Sequence, residues 1–361
     1  MKTPHILMMA AGTGGHVFPA LAVSEELARR GAVIHWLGTP AGMENDLVQP
    51  TGYAFHAIAM QGLRGKGIGR LLKLPVTLLS TTMAVIKVIR SNKIDIVVGF
   101  GGYVSAPGGI AARMTGTPLI IHEQNAIAGM SNRYLAKMAI KVLQAFENTF
   151  ANSKLGSKLE TVGNPVRNAI TGVAEPLTRY NVNDQSPLRL LVVGGSLGAQ
   201  VLNDTVPKAL ALIERPFEVR HQCGRNNEVV TQAAYDSEDL SPHQIAVQPF
   251  IEDMAAAYDW ADILVCRAGA LTVTEIQNVG IAAIFVPLPS AVDDHQTANA
   301  RTLTLHDAAI LLPQTELTPK RLSNELTALN RHACLEMAKK GYALANRNAS
   351  KQVAEIIWQT L

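Results

Sequence analysis

The chain of 361 residues contains few cysteines and no uncharged apolar run that suits a membrane span. Cys223, Cys266 and Cys334 are far apart, which argues against a disulfide framework or a structural zinc site and favours a reducing compartment. The uncharged run over residues 3–23 is broken by GTGGH, and the run over residues 74–86 is too short to cross a bilayer. We therefore expect a cytoplasmic protein without a transmembrane helix.

Acidic residues are missing from one long stretch of an otherwise balanced chain. The formal net charge is only +3, which gives no reason to expect nucleic acid as a partner. Residues 47–94 nevertheless contain no aspartate or glutamate, and they carry Arg64, Lys66, Arg70, Lys73, Lys87, Arg90 and Lys93. This asymmetry predicts a surface that meets something anionic.

Two segments of the chain share one pattern, an apolar strand followed by a glycine turn and a helix. The first is HILMMAAGTGGHVFPALAVSEELARRG at residues 5–31, in which we expect Pro19 to help begin the helix and Gly31 to end it. The second is LRLLVVGGSLGAQVLNDTVPKAL at residues 188–210. Further apolar strands alternate with helical patterns after each start: AVIHWLG, IDIVVGF and PLIIHEQ, then FEVRHQC, IAVQPF, DILVCRAG and AIFVPLP.

This alternation is typical of the α/β class and predicts two Rossmann-like, doubly wound parallel-sheet domains that face each other across a cleft. The connector VGNPVRNAI places the boundary so that the first domain covers residues 1–163 and the second covers residues 164–343. We expect the last helix, about residues 344–361, to pack back on the first domain. Ligands of such sheets collect at the carboxyl ends of the strands.

Four glycine-rich loops follow predicted strands, namely GTGGH, GFGGYVSAPGG, GGSLGA and RAGALTVTE. Backbone amides exposed at such turns attract anions, phosphates above all. A dinucleotide site is not favoured, because Val17 stands where the GxGxxG fingerprint needs its third glycine. A single glycine loop is as often a plain turn, but four loops at the same sheet edges favour a ligand.

The chain resembles the MurG family of bacterial GT-B glycosyltransferases in motifs that follow one another along it: GTGGHVFPALAV, LRGKGI, GGYVSAPGG, HEQNAIAG, VGNPVR, GGSLGA, FIEDMAAAY, CRAGALTVTE and DDHQTANA. The resemblance implies an inverting hexosyltransferase that moves GlcNAc from UDP-GlcNAc to the 4-hydroxyl of MurNAc in undecaprenyl-linked lipid I. The product is lipid II for peptidoglycan synthesis, so cell wall biogenesis, cell shape and cell division depend on it. The implied place is the cytoplasmic face of the inner membrane, beside other cell-wall synthesis proteins.

An inverting transfer needs a base for the acceptor hydroxyl, and the resemblance offers two candidates. His16 stands at a predicted helix start, and an imidazole can accept a proton at neutral pH, although it could instead pack the turn or bind the donor. Glu123 is the alternative, either as the base or as a group that orients the acceptor. The implied contacts nearby are Thr13, Gly14 and Gly15 for substrate and Gly102 and Tyr103 for the acceptor.

The resemblance places the nucleotide on the loops that begin at residues 194 and 267. Ser196 and the amides of residues 270–272 would hold the diphosphate, with Arg167 as a further cation. Glu275 would accept hydrogen bonds from the ribose, although Thr272-x-x-Glu275 also fits a capping box in which the glutamate only caps the helix. The remaining implied substrate contacts are the backbone of Ile251 for uracil, Asn125 and Gln296 for the sugar, and Ala270, Leu271, Thr272, Val273 and Thr274 along the second loop.

A metal and a cofactor are not expected. Asp293 and Asp294 precede Gln296, but the chain contains no DxD pair, so helix dipoles and arginine must hold the diphosphate. Two positions depart from the family pattern: Ala11 replaces a first glycine and Ala282 replaces a proline. Ala11 would restrict the turn if that position needed a positive φ, whereas Ala282 would only loosen a loop.

The stretch LRGKGIGRLLKLPVTLL mixes basic and apolar residues, and we expect it to dock on an anionic membrane surface through Arg64, Lys66, Ile68, Arg70, Leu71 and Lys73. Four basic residues contribute about 4 kcal/mol at most, which is only about millimolar binding, so apolar insertion must add to it. The alternative is a solvated basic face over core leucines. Two other functions stay open, a UDP-GlcNAc 2-epimerase that needs no lipid and a non-catalytic nucleotide-sugar binding protein.

Overall fold

The computed structural model describes residues 2–60, 68–151, 153–195, 197–289 and 294–361, with the backbone alone at residues 68–74. The chain forms two compact units. The first unit comprises Met1–Arg167 together with Asn346–Leu361, and the second unit comprises Asn168–Ala345. Each unit is built on one parallel sheet with helices around it, so the predicted α/β class is confirmed.

The first unit contains a seven-stranded parallel sheet in the order β3-β2-β1-β4-β5-β6-β7. Side chains alternate between the two faces of its strands, and both faces are buried. Ile6 and Met8 pack on one face with the first and last helices, while Leu7 and Met9 pack on the other. The strands are β1 His5–Ala10, β2 Val33–Gly38, β3 Ala54–Ala57, β4 Ile96–Gly101, β5 Leu119–Glu123, β6 Lys141–Gln144 and β7 Leu159–Thr161.

Among its described residues the first unit has the helices α1 Gly14–Arg29, α2 Met43–Val48, α3 Ile68–Ser91, α4 Ser105–Thr115, α5 Met130–Met138 and α15 Ala349–Thr360. Short 3₁₀ turns occupy Gln49–Thr51 and Gly156–Lys158. Within the described ranges, every helix is too short or too polar to span a bilayer.

Helix α1 ends as expected but begins earlier than expected. Gly31 has φ +93°, and its N–H donates to Ala28 O while the N–H of Ala32 donates to Leu27 O, which is the Schellman arrangement. The prediction that Pro19 helps begin the helix is wrong, because α1 starts at Gly14 and Pro19 lies inside it. The glycine turn is therefore itself the first helical turn, and His16 lies in it.

Helix α15 belongs to the first unit although the second unit precedes it in the chain. Val353, Ala354 and Ile357 are buried in the core that α1 also forms, and Arg30, directly after α1, pairs with Glu355 at 2.6 Å. The first unit is therefore closed by the last helix of the chain.

The second unit contains a six-stranded parallel sheet in the order β10-β9-β8-β11-β12-β13. Its strands are β8 Leu188–Val193, β9 Phe217–Gln222, β10 Gln244–Gln248, β11 Ile263–Cys266, β12 Ala282–Phe285 and β13 Ile310–Leu311. Its helices are α6 Asn168–Thr171, α7 Pro176–Arg179, α8 Gln200–Leu210, α9 Glu228–Asp236, α10 Met254–Trp260, α11 Ala270–Val279, α12 His295–Thr304, α13 Pro319–Ala328 and α14 Arg331–Ala343, with a 3₁₀ turn at Gln314–Glu316.

Ala282 occupies the first position of β12 rather than a loop, so the expectation that it loosens a loop is wrong. Its N–H donates to Tyr180 Oη at 3.2 Å, and the same hydroxyl donates to Asp262 O at 2.7 Å. A proline has no N–H to donate. The departure from the family pattern therefore gains a buried hydrogen bond.

Both sheets have the strand order of the doubly wound fold, and in each the order reverses beside the first strand. The switch points lie between β1 and β4 in the first unit and between β8 and β11 in the second. The four glycine-rich loops follow β1, β4, β8 and β11, which are the strands that flank the switch points. Each unit therefore has two of these loops at its own switch point. That is the edge at which such sheets bind ligands.

Candidate active site

The loops after β1 and β4 touch because glycines allow it. A Cβ at Gly101 would stand 2.7 Å from His16 Nδ1, and a Cβ at Gly102 would stand 2.1 Å from Ala11 O. Both glycines also have positive φ, at +116° and +85°. The β4 loop therefore lies directly against the turn that carries His16.

Tyr103 completes this contact. A Cβ at Gly12 would stand 3.3 Å from the Tyr103 ring, and Tyr103 keeps 47% of its surface exposed. In the described backbone the positive φ of the turn, +94°, falls on Gly12, while Ala11 is fully buried. The alanine at position 11 therefore imposes no strain on the turn. The first unit thus brings together Thr13, Gly14, Gly15, His16, Gly102 and Tyr103.

The carboxylate of Glu44 accepts a hydrogen bond from the same turn. Sequence reasoning missed this residue. This fully buried side chain accepts from Gly12 N at 3.1 Å, from Thr39 N at 2.9 Å and from Thr39 Oγ1 at 2.6 Å. One amide of the turn is therefore already occupied by a negative group. In the sequence Glu44 reads only as an acid at the start of a short helix, so it gives no local signal of this role.

His16 makes a specific contact with the end of β5. Its Nδ1 lies 2.8 Å from Oε1 of Gln124, a side chain that is 1% exposed. Gln124 also reaches back to His122, so three residues around the end of β5 are connected. Sequence reasoning singled out His16 but passed over Gln124.

Glu123 is 2% exposed, and its oxygens accept hydrogen bonds from the loop that follows it. Oε1 accepts from the backbone N of Asn125 at 3.0 Å and from its Nδ2 at 3.1 Å. Oε2 accepts from Gly129 N and from Asn132 Nδ2, both at 2.9 Å. This carboxylate fastens the loop before α5 and holds Asn125 in place.

In the second unit, the loop after β8 is packed tightly on the loop after β9. Gly195, Gly198 and Gly224 have φ of +89°, +77° and +91°. A Cβ at Gly198 would stand 2.0 Å from Cys223 O, so a larger residue would separate the two loops. Ser196, expected to hold the diphosphate, lies outside the described residues.

Gln222 at the end of β9 connects the loop after β8 with the loop that carries Ile251. Its Nε2 donates to Gly195 O at 2.9 Å, and its Oε1 accepts from Ile251 N at 3.3 Å. Gln222 is 3% exposed, so this connection is sheltered from water. Sequence reasoning singled out Ile251 and passed over Gln222, which fixes it.

Helix α11 begins at Ala270 with Gly269 as its N-cap residue. The amides of residues 270–272 are therefore in the first turn, where helical N–H groups lack intrahelical partners. The capping-box alternative for Thr272 and Glu275 is wrong, because the helix starts before Thr272. Glu275 is 5% exposed and accepts from Tyr258 Oη at 2.9 Å.

The other residues that were expected to contact the sugar nucleotide are distributed over both units. Val273 and Thr274 are buried along α11, and Gln296 Oε1 accepts from Leu288 N at 2.9 Å. Arg167 belongs to the first unit, where its guanidinium lies 4.6 Å from the centre of the Phe18 ring. Among the described residues, no three His, Cys, Asp or Glu side chains are grouped so that they could hold a metal ion.

Helix α3 begins within the basic stretch that was expected to meet a membrane and contains its residues 68–79. Arg64 and Lys66 lie outside the described residues, and the side chains of Ile68, Arg70, Leu71 and Lys73 are likewise not described. Farther along α3, Val76, Leu79 and Met83 are 71%, 63% and 54% exposed. Their spacing places them on one side of the helix, and the exposed Lys87 and Arg90 continue that side. We call these five residues the α3 stripe.

Two family models match the chain. The glycosyltransferase family 28 N-terminal domain matches residues 6–144, and the glycosyltransferase family 28 C-terminal domain matches residues 189–356. This chain belongs to glycosyltransferase family 28. The family 28 domains thus contain the four glycine-rich loops, and the enzyme class expected from the sequence is confirmed.

Close relatives of this family 28 chain match it over its whole length. A protein of Psychrobacter arcticus is 86% identical over all of both chains, and one of Psychrobacter cryohalolentis is 85% identical over the same extent. Both are named UDP-N-acetylglucosamine--N-acetylmuramyl-(pentapeptide) pyrophosphoryl-undecaprenol N-acetylglucosamine transferase. The crystal structure of Acinetobacter baumannii MurG is 44% identical over 99% of each chain, with a TM-score of 0.86. The resemblance to the MurG family is therefore confirmed.

Proposed function

We propose that this chain transfers GlcNAc from UDP-GlcNAc to the 4-hydroxyl of MurNAc in lipid I, with inversion, and so makes lipid II for peptidoglycan synthesis. The observation that carries this proposal is the 86% identity, over the full length, to a relative named for that transfer. The glycine-rich loops at the switch point of each sheet support it, because they suit substrates that carry a diphosphate.

His16 acts as the base in this proposal. It takes the proton of the acceptor hydroxyl while that oxygen bonds to C1 of GlcNAc, and UDP leaves with the electron pair of the broken bond. Glu123 is a poorer base, because it is buried and its oxygens already accept four hydrogen bonds. We assign Glu123 to holding Asn125, and we assign Gly102 and Tyr103 to the acceptor.

The second unit holds the donor. Its two switch-point loops offer the first-turn amides of α11 and the glycines near residue 195, and Gln222 sets Ile251 for uracil. In the first unit the Glu44 carboxylate already occupies Gly12 N, so a diphosphate is less favoured at that turn. Ser196, Arg167, Glu275 and Gln296 keep their expected donor roles within this proposal.

The test of the reaction is incubation with UDP-GlcNAc, with and without a lipid I analogue in mild detergent, while UDP and the sugar product are followed. We expect UDP and a disaccharide-lipid only when the acceptor is present. Conversion of the donor without acceptor would instead indicate a UDP-GlcNAc 2-epimerase. Saturable donor binding without turnover on the acceptor would indicate a binding protein.

A peripheral contact with the membrane completes the proposal, because the acceptor is lipid-linked. The apolar part of the α3 stripe would insert, and Lys87 and Arg90 would meet anionic headgroups. Partner proteins of cell-wall synthesis and the cytoplasmic face of the inner membrane remain expectations from the family.

The α3 stripe can be tested with anionic liposomes. The triple variant Val76→Ser, Leu79→Ser, Met83→Ser should sediment with vesicles at least about tenfold less, since each apolar side chain contributes of the order of 1 kcal/mol on insertion. Val229→Ser with Val230→Ser is the matched control, because these valines are 81% and 62% exposed on α9 of the second unit. Equal loss in both variants, or none in the triple variant, would refute the contact.

A further inference from the structure

The orientation of the Gln124 carboxamide is determined by its surroundings. Its Nε2 lies 3.0 Å from the backbone oxygen of His122, which can only accept a hydrogen bond. Nε2 must therefore be the amide NH₂, and Oε1 must be the atom 2.8 Å from His16 Nδ1. With the side chain 1% exposed, water has little opportunity to replace either contact.

This orientation determines where His16 carries its proton. Because Oε1 of Gln124 can only accept, Nδ1 of His16 must donate, and the lone pair of the neutral ring is then on Nε2. We propose that Gln124 is a positioning residue that fixes His16 in the Nδ1–H tautomer, so that Nε2 is the atom that takes the acceptor proton. This inference rests on the proposed role of His16 as the base.

The arrangement continues one residue deeper and is anchored on the backbone. His122 Nε2 lies 3.0 Å from Gly163 O, so that nitrogen donates, and His122 Nδ1 then accepts from Gln124 Nε2 at 3.2 Å. Burial lowers the pKa of His122 to about 4, which keeps the ring neutral near pH 7. The hydrogen bond to Gly163 O and the neighbouring Glu123 carboxylate oppose this shift only in part. A hydrogen-bond relay therefore runs from His16 through Gln124 and His122 to Gly163 O, and each group in it donates to the next.

A carboxamide suits this position for a chemical reason. The Nδ1–H of His16 is present in both the neutral and the protonated ring, so its bond to Gln124 Oε1 persists while Nε2 gains a proton. A neutral acceptor also avoids placing a full negative charge beside the imidazolium, where it would hold the proton against release. The ring can therefore take a proton and return it without rearranging.

The direct test is the tautomer of His16 in the intact protein. Long-range ¹H–¹⁵N correlation spectra of histidine-labelled protein distinguish a protonated nitrogen from one with a lone pair, and the His16→Gln variant assigns the signals. We expect Nδ1 to be protonated and Nε2 to carry the lone pair near pH 7.5. An Nε2–H tautomer in the wild-type protein would overturn the inference, whatever the variants do.

Gln124→Leu tests the consequence for catalysis. We expect a mixture of His16 tautomers and a kcat lowered roughly tenfold or more, with KM for UDP-GlcNAc unchanged. The Nε2–H tautomer carries its lone pair on Nδ1 instead of Nε2, and the ring also loses the hydrogen bond that orients it. Gln144→Leu is the matched control, since Gln144 is a buried glutamine on the neighbouring strand β6 that bonds to Thr161. An unchanged tautomer in Gln124→Leu, or an equal loss of kcat in the control, would refute the positioning role. If His16→Ala retained full turnover while the tautomer was as expected, the proposed base would fail and the relay would stand.

Discussion

The two βα starts of this chain share one sequence pattern but are fastened by different chemistry. In the first unit a buried carboxylate, Glu44, accepts the amide of Gly12. In the second unit neutral carboxamides do the fastening, since Gln222 donates to Gly195 O and Asn227 donates to Leu197 O. A negative charge behind the first turn repels phosphate, whereas the second turn has neutral supports. The same glycine pattern is therefore suited to different ligands in the two units.

The histidines beside the two turns differ in the same way. Both ring nitrogens of His221 in the second unit have hydrogen-bond partners. Nε2 donates to Asn203 Oδ1 at 3.1 Å, and Nδ1 accepts from Tyr235 Oη at 2.8 Å. Asn203 Nδ2 donates to Cys223 O, which fixes the direction of its amide. In the first unit the corresponding network ends on His16, whose Nε2 keeps its lone pair. His221 is a structural member of a sheet, whereas our proposal gives His16 the proton transfer.

The comparison can be broken most sharply at His16. We expect His16→Ala to lower kcat about a thousandfold, within the range that general bases contribute, while the affinity for UDP-GlcNAc stays unchanged. Steady-state assays with saturating substrates measure kcat, and isothermal titration with UDP-GlcNAc measures the affinity. Glu123→Gln is the companion variant. It should lower the free energy of unfolding, and it should lower kcat less than His16→Ala does. If the losses of kcat fell in the reverse order, Glu123 would be the base.

A matched pair of variants separates the two turns from each other. Gln222→Leu should weaken UDP binding about tenfold, because the loop at Gly195 and the backbone of Ile251 lose their shared support. Glu44→Leu should leave UDP binding unchanged but lower the free energy of unfolding by about 3 kcal/mol, since it leaves buried donors unsatisfied. Titration with UDP and urea unfolding check both. Weaker UDP binding in Glu44→Leu would contradict our proposal, because it would indicate that the donor binds to the first unit and not to the second.

The pH dependence of stability is shared by both units. Burial lowers the pKa of His122 to about 4 and that of His221 to about 3. Burial, followed by the neighbouring His56 and His5, lowers the pKa of His35 to about 4. Below pH 6.5 these histidines bind protons in the unfolded chain but stay neutral in the folded protein. Their contribution to the free energy of unfolding is therefore complete above pH 6.5 and declines as the pH falls.

We expect each of the three histidines to reduce the free energy of unfolding by up to about 1.4 kcal/mol per pH unit between pH 6.5 and 5. Urea unfolding at pH 7.5, 6 and 5 measures this slope. His35→Asn should make the slope shallower, because one of the titrating groups is gone. Equal stability of the wild-type protein at pH 7.5 and 5 would contradict the expectation.

Much of the fold was predictable from the sequence because long apolar strands and glycine turns are strong local signals. AVIHWLG, IDIVVGF and FEVRHQC correspond to β2, β4 and β9, and the predicted glycine loops follow the expected strands. The short strands β3, β6, β7 and β13 were not predicted, since two to four residues are too few to show a clear period. Their pairing depends on neighbours that are distant in the sequence.

The site was predictable in part, for a related reason. His16, Tyr103 and Ile251 stand within recognisable motifs, and the structure places them at the loops expected. Gln124 and Gln222 were missed because a glutamine at the end of a strand has no local signature, and its role depends on which carbonyl the amide meets. Glu44 was missed because its partners Gly12 and Thr39 come from two different loops.

The placement of α15 has a consequence for how the nascent chain folds. Residues 168–345 leave the ribosome before residues 346–361, so the second unit can complete its sheet first. The first unit, although synthesised earlier, must wait with the α1 side of its core uncovered until Val353, Ala354 and Ile357 arrive. The part of the protein that carries His16 is thus the last to close, and a chaperone would have its longest opportunity there.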